Sequence, residues 1–342
     1  RDPLWSRGLG DVYKRQITSL LCTRYSILKA IIFCLSIFTL FAVIKTLMQK
    51  FIGFDSFETK WLNAGGATTH IIWSGIRYFS FFTDASNMGA NMGAAIMFFG
   101  IASLYMRSAL CKIYYSCIAI LALYALFLSG TRGAMIVPLA GLALYTLISK
   151  QTKMVIGGAS MLLFIYIFFA FTTIGESNSS IRRMRTAFNP TKDASYIVRK
   201  ENQKKLATYL KYKPFGEGLG LSGDGLGVKI STRFTTSIPT DSWYVKIWVE
   251  TGIVGLILYL SMIFLTIGWG GWIIATQIKD LELKGLLSGL LCGIFGMFIN
   301  AYANSFWGQF PTMIIAFMGL TFVLNGPYFD KEIRIKKINC FK

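Results

Sequence analysis

The chain has 342 residues, of which 54% are apolar and only 15% charged, and its mean hydropathy is +0.53. A soluble domain carries nearer a quarter charged residues, so a water-surrounded globule is excluded and the bilayer is the expected solvent. The formal charge of +19 does not argue for nucleic acid, because Lys and Arg gather beside membrane spans on the cytoplasmic side.

Residues 1–16, RDPLWSRGLGDVYKRQ, carry no initiator Met, no signal-peptide pattern and no periodicity. They read as a non-native lead, which makes 17–342 the polytopic membrane domain and suggests a parent longer at its N-terminus. A lipid span needs roughly 20 mostly apolar residues. Such runs fall near 27–48, 88–106, 113–129, 134–149, 154–172, 245–275, 285–301 and 310–325, giving an all-α integral membrane protein of about eight helices. The stretch 71–99 contains Arg77 and Asp84 and then Met88-Gly-Ala-Asn-Met-Gly-Ala-Ala95. It reads as an outer loop entering a tightly packed span, since small residues let helices approach closely.

The connectors at 107–112, 149–153 and 276–284 are basic, as is the tail with Lys331, Arg334, Lys336, Lys337 and Lys342, whereas 302–309 has no Lys or Arg. The positive-inside rule puts the basic set and both termini in the cytoplasm. Two segments then face outward, the turn Ser129-Gly-Thr-Arg-Gly133 and a large loop over 172–244. That loop holds twelve Lys or Arg against six acids, a net of +6, and loops this long escape the orientation rule. Within it, Ser195–Lys213 has helical character with an apolar stripe of Ile197, Leu206, Tyr209 and Leu210, and Pro214 ends it.

Six cysteines lie in or near apolar runs or the tail, and His70 is the single histidine, so neither a disulfide framework nor a zinc site is expected. No cofactor or metal is expected either, for the chain has no P-loop, no Ser-His-Asp set and no D-x-D. Gly218-Leu-Gly-Leu-Ser-Gly223 matches G-x-G-x-x-G but lacks the strand before and the helix after that a dinucleotide fold needs. Its glycines read instead as a tight backbone path.

The outer arginines are the candidate anion site, since the guanidinium fork binds phosphate bidentately and a lipid-linked pyrophosphate carries its charge at headgroup depth. The alternative is a solvated charged surface. Arg132 stands apart, in a five-residue turn between two apolar spans where a charge is costly. Asp241 lies at the mouth of the next span, as a helix N-cap, as a general base for a sugar hydroxyl, or as both. Glu250 is a carboxylate at membrane depth that can also pair with Lys246 at i, i+4. Tyr244 and Trp243 are candidates for packing on sugar rings or for an interfacial aromatic belt.

Ser129-Gly-Thr-Arg-Gly-Ala134, the large basic loop and the run Asp241-Ser-Trp-Tyr…Glu250-Thr-Gly-Ile-Val-Gly-Leu-Ile-Leu-Tyr259 resemble the O-antigen ligase/polymerase family over about 75–325. The resemblance implies a GT-C-like helical fold in the bacterial inner membrane. It implies metal-independent glycosyl transfer at the periplasmic face, from an undecaprenyl-pyrophosphate-linked oligosaccharide to a glycan or lipid A core acceptor. It also implies pyrophosphate binding by Arg132 and Arg199, with Arg182 and Arg185 as weaker candidates; Tyr244 and Glu250 are substrate-side candidates on the residue readings above. Ligases carry His-Asn just before the E-T-G span, and here those positions are Thr240-Asp241, which favours a polymerase-like or divergent transferase with Asp241 as the base. Family members also have more than eight spans, which agrees with a truncated N-terminus. A transporter or flippase of lipid-linked oligosaccharide is the rival, although no repeated halves with broken helices are visible. A non-catalytic assembly partner is a third reading.

Overall fold

The computed structural model describes residues 24–72, 75–149, 152–175, 179–185, 194–223, 228 and 231–340. The expected lead 1–16 lies outside these, as do Cys22, Lys150, Glu176, Lys192, Asp193, Asp224, Lys229 and Lys342. Every expected apolar run falls on a helix: α1 (Tyr25–Phe51), α4 (Ala85–Tyr105), α5 (Ala109–Leu128), α6 (Ile136–Ser149), α7 (Thr152–Phe171), α10 (Trp243–Thr276), α11 (Leu281–Asn300) and α12 (Thr312–Leu324). Short helices α2 (Ser56–Trp61) and α3 (Ala67–His70) follow α1, α8 (Ser179–Arg185) and α9 (Ala194–Leu210) lie in the large loop, and α13 (Gly326–Cys340) forms the tail.

The expected count of eight spans is not fully reproduced. Six helices of the described residues are long and apolar enough to cross a membrane, or seven if α12 and α13, bent by 56°, count as one broken span. Helix α12 has 13 residues, or about 20 Å at 1.5 Å per residue, short of the roughly 30 Å hydrocarbon core.

Helices α4 and α11 form the centre, buried along most of their length. Glycines set their spacing. A Cβ on Gly293 would sit 2.9 Å from the Ala94 carbonyl oxygen, and one on Gly289 2.7 Å from that of Phe98. On the other side of α4, a Cβ on Gly93 would reach within 2.8 Å of Val137 on α6. The small-residue stretch 88–95 thus does pack closely, against α6 and α11 together.

The ends of the bundle separate by charge. At one end Arg107 pairs with Asp280 and, at 3.4 Å, with Glu282, while Lys337 reaches Asp280 at 3.1 Å and Lys29 also binds Glu282. The connector before α5, the start of α11, the tail and the start of α1 therefore share one face. The opposite end gathers the 129–134 turn and the segment leading to α4, with the Tyr78 N–H donating to the Leu128 carbonyl at 3.3 Å. The start of α10 joins them, the Trp243 N–H donating to the Ala301 carbonyl at 3.0 Å.

The large loop is fixed to the membrane domain by an interruption in α10. Gly252 has φ 69° and ψ −173°, a region essentially confined to glycine. The break frees helical backbone groups, and residues 214–218 fill them: Glu217 N–H donates to the Val249 carbonyl at 2.9 Å, Gly218 N–H to Glu250 at 3.0 Å, and Val254 N–H to Pro214 at 3.3 Å. A Cβ on Gly252 would lie 1.9 Å from the Pro214 oxygen. Helix α9 then seats Leu206 and Leu210 on Val245 and Val249 of α10. Of the expected stripe, Tyr209 packs at the margin of this cluster, and Ile197 remains exposed. Glu217, 3% exposed, is held between Lys213 and Arg233, and these partners, Lys213 first, keep its carboxyl below the usual range despite burial.

Candidate functional site

At the end carrying the 129–134 turn, α6, α9, α10 and the segment after α11 surround a cavity of about 630 Å³. Its described lining contains four arginines, Arg77, Arg132, Arg183 and Arg199, and no carboxylate. Below them an apolar wall is built from Ile136, Leu139, Leu260, Phe264, Phe298 and Ile299. Phe264 is 60% exposed, so this wall reaches the outer surface of the helices.

The turn explains how Arg132 is aimed. Ser129 Oγ donates to the Leu126 carbonyl at 2.7 Å and accepts from the Thr131 N–H at 3.2 Å. Gly130 takes φ +58°, which reverses the chain at the helix end. Gly133 presses on the segment after α11, where a Cβ would meet Asn304 Nδ2 at 2.7 Å. Arg132 opens the short 3₁₀ turn Arg132–Met135 between these two fixed points.

Arg77 is the functional candidate that sequence reasoning missed. Its guanidinium donates to the Thr69 carbonyl at 3.0 Å, to Thr131 Oγ1 at 2.9 Å and to Ser86 Oγ at 3.3 Å. Thr131 Oγ1 in turn donates to the Ala85 carbonyl at 3.0 Å, so the S-G-T-R turn positions two arginines at once. Burial pushes the Arg77 pKa below its ordinary value; Asp84 opposes this, and the charges of Arg132 and Arg199 add to it. Arg remains protonated at any physiological pH, so Arg77 stays a buried cation near Arg132 and Arg199. The available signal was an Arg beside an Asp in a segment otherwise read only as a loop. Arg183 was counted among the loop cations but not singled out; it lies against Gly130, where a Cβ would be 3.9 Å from its side chain.

The other expected site residues divide. Arg199 lines the cavity, and its Nε lies 4.0 Å from Asp241 Oδ2. Asp241 is not the N-cap of α10: that position is Ser242, whose hydroxyl donates to the Ala301 carbonyl at 3.5 Å. Asp241 stands one residue earlier with φ +50°, a conformation Asp tolerates better than most residues. Its carboxylate, 46% exposed, lies at the edge of the arginine cluster.

Tyr244 lines the cavity, its hydroxyl donating to the Phe298 carbonyl at 2.6 Å. Trp243 turns away, donating from Nε1 to the Tyr259 hydroxyl at 3.0 Å and packing on Gly308. Arg182 is exposed and does not line the cavity. Arg185 is also outside it, donating to the Ile174 carbonyl at 2.8 Å with its guanidinium 5.8 Å from the centre of the Phe168 ring. Neighbouring positions on one helical turn point in different directions, and α8 directs Arg183 inward instead.

Glu250 is likewise outside the cavity. It accepts from Ser222 Oγ at 2.7 Å, tying the Gly-rich loop to α10, while its expected partner Lys246 lies over the Trp243 ring at 5.6 Å. Gly223 belongs to the same seam, with no room for a Cβ against the Ile238 carbonyl. The G-x-G-x-x-G stretch is therefore a close backbone path over its described residues. Among the described residues no group of three or more His, Cys, Asp or Glu is placed to hold a metal ion.

The described residues thus form a bundle of apolar helices, six or seven of them able to span a membrane, with a cavity lined by four arginines and an apolar wall at one end. Residues 117–260, from α5 through the S-G-T-R-G turn and the loop to Leu260 of α10, match the family described as O-antigen ligase. A family of that description points to glycan transfer in surface-polysaccharide assembly. Neither the curated proteins nor the solved structures searched include a match to this chain.

Proposed function

We propose that the chain transfers a glycan from an undecaprenyl-pyrophosphate carrier to a hydroxyl of another glycan or of a lipid A core acceptor, at the periplasmic face of the bacterial inner membrane. The observation that carries this is the convergence of Arg77, Arg132, Arg183 and Arg199 on one cavity whose lower wall is apolar. Paired phosphates match guanidinium forks, and the apolar wall suits the polyprenyl chain.

In this reaction an acceptor oxygen attacks the anomeric carbon, and the bond from that carbon to the pyrophosphate oxygen breaks with inversion. The pair of electrons leaves with the pyrophosphate, whose growing charge the arginines stabilise. The acceptor proton passes to the Asp241 carboxylate, which Arg199 holds at the rim. The arginines thus supply the charge stabilisation that the leaving group needs. The aspartate, standing where ligases carry His-Asn, favours the polymerase type over the ligase type.

The test places the full chain in liposomes with an undecaprenyl-pyrophosphate oligosaccharide and acceptor. Release of undecaprenyl pyrophosphate and formation of lengthened or acceptor-joined glycan are both followed. Arg132→Ala and Arg77→Ala should each lower the rate by on the order of 10²–10³. Arg77→Lys should recover little, because a point charge cannot reproduce the fork. Asp241→Asn should lower it by on the order of 10²–10⁴. Movement of intact lipid-linked sugar across the bilayer with no bond broken would replace this reading with a transporter.

A further inference from the structure

The cavity has two unlike walls. The arginines come from the segment before α4, from the 129–134 turn and from α8 and α9, whereas the segment after α11 contributes Tyr302, Ala303 and Asn304 and no charge. The whole connector 302–309 lacks Lys and Arg. A diphosphate engages only the cationic wall, and about 630 Å³ is the volume of a pocket for a ligand larger than that head.

Two features suit the uncharged wall to a sugar ring. Tyr302 is 58% exposed although it directly follows Ala301 and Asn300, both fully buried. Its ring is left out of the core and faces the cavity, where the apolar face of a pyranose can stack on it. Asn304 is anchored, donating from Nδ2 to Asn300 Oδ1 at 3.0 Å, and it lies against Gly133, beside Arg132. One N–H of its amide is thereby engaged, and the other N–H and the carbonyl oxygen remain to match neighbouring hydroxyls of a sugar. The Asn300 Nδ2 behind it is fully buried and has no hydrogen-bond partner among the described residues. Neither Tyr302 nor Asn304 falls within the family-matched segment 117–260, so this wall is separate from the part carrying the family pattern.

We propose that Tyr302 and Asn304 form a sugar subsite beside the diphosphate clamp and determine which lipid-linked glycan the chain accepts. The proposal rests on the clamp reading above. It is tested by binding to the full chain in nanodiscs, using bare undecaprenyl pyrophosphate and a panel of the same lipid bearing N-acetylglucosamine, N-acetylgalactosamine, glucose or galactose.

The unaltered chain should bind at least one sugar-bearing probe more tightly than the bare lipid. Tyr302→Ala and Asn304→Ala should each remove on the order of ten-fold of that preference and leave the bare lipid within about two-fold. Retained binding of the bare lipid shows in the same experiment that the variants are folded. Tyr302→Phe should keep the preference, since stacking needs the ring and not the hydroxyl.

Equal affinity of the unaltered chain for every probe would overturn the subsite. So would variants that weaken bare and sugar-bearing probes alike, or neither. Arg132→Ala should weaken all probes together, and if it leaves every probe unchanged, the clamp has failed instead of the subsite.

Discussion

Gly252→Ala is the sharpest test of how the outer loop is held. At φ 69°, ψ −173° an alanine carries roughly 1–3 kcal/mol of backbone strain, and its Cβ overlaps the Pro214 carbonyl oxygen. Relief requires residues 214–218 to leave the break in α10. That gives up three backbone hydrogen bonds at about 0.5–1.5 kcal/mol each. Those bonds are lost on opening in the unaltered chain too, so the variant's loop is weakened by its strain, roughly 1–3 kcal/mol, with the overlap adding to it. The readout is chymotryptic cleavage after Phe215 in nanodiscs, where the side chain is exposed but the following backbone is bonded. If opening is fast relative to cleavage, the rate follows the open population and should rise on the order of ten- to a hundred-fold. Gly268→Ala is the control, in the same helix with open space around its Cβ, and it should be neutral or stabilising. Equal cleavage rates for the two variants would refute the account of the break.

Two further outcomes concern pH. His70 is buried, and its Nε2 accepts from the Ala85 N–H at 3.2 Å, so the folded chain holds it neutral with the Nδ1 proton toward the Gly66 carbonyl. Burial depresses its pKa, with the Arg77 charge adding to this, against the Gly66 bond and Asp84. Its stabilisation is complete above the unfolded value near 6.5 and is lost as pH falls through the folded value. The thermal midpoint should therefore fall as the pH drops below about 6.5, and less so in His70→Asn. Glu217 is a depressed carboxylate, so its contribution is complete above about pH 4.3 and lost below it. Glu217→Gln should raise cleavage after Phe215 several-fold at neutral pH and flatten its dependence on acid.

The spans were legible because lipid imposes one rule on every segment that crosses it: apolar side chains over a fixed length with the backbone satisfied within the helix. Arg132 was legible for the converse reason, being a charge in a turn too short to hold it away from the membrane. Arg77 and Arg183 were not, because the cavity joins segments more than fifty residues apart in the chain, and nothing local to either marks it as facing the other. The motif Glu250-Thr-Gly252 drew attention to its carboxylate, whereas the glycine performs the structural task and Glu250 accepts from Ser222. A glycine in mid-span after a polar pair, with Pro214 and Gly216 upstream, was the overlooked signal. Asp241 was read one position out of register, since a left-handed residue before a helix leaves no trace in hydropathy.

The break at Gly252 also relocates the boundary between the two parts of the molecule. Residues 243–251 continue α10 in outline, yet their free carbonyls and their apolar face are taken by the loop. Val245 and Val249 therefore belong with the loop, although Trp243 and Tyr244 in the same stretch stay bonded to Ala301 and Phe298 of the bundle. A chimaera that grafts the loop of a relative onto this scaffold should be joined after Gly252, inside the helix. A join at Trp243, where α10 begins, would separate the loop from the surface it was shaped on.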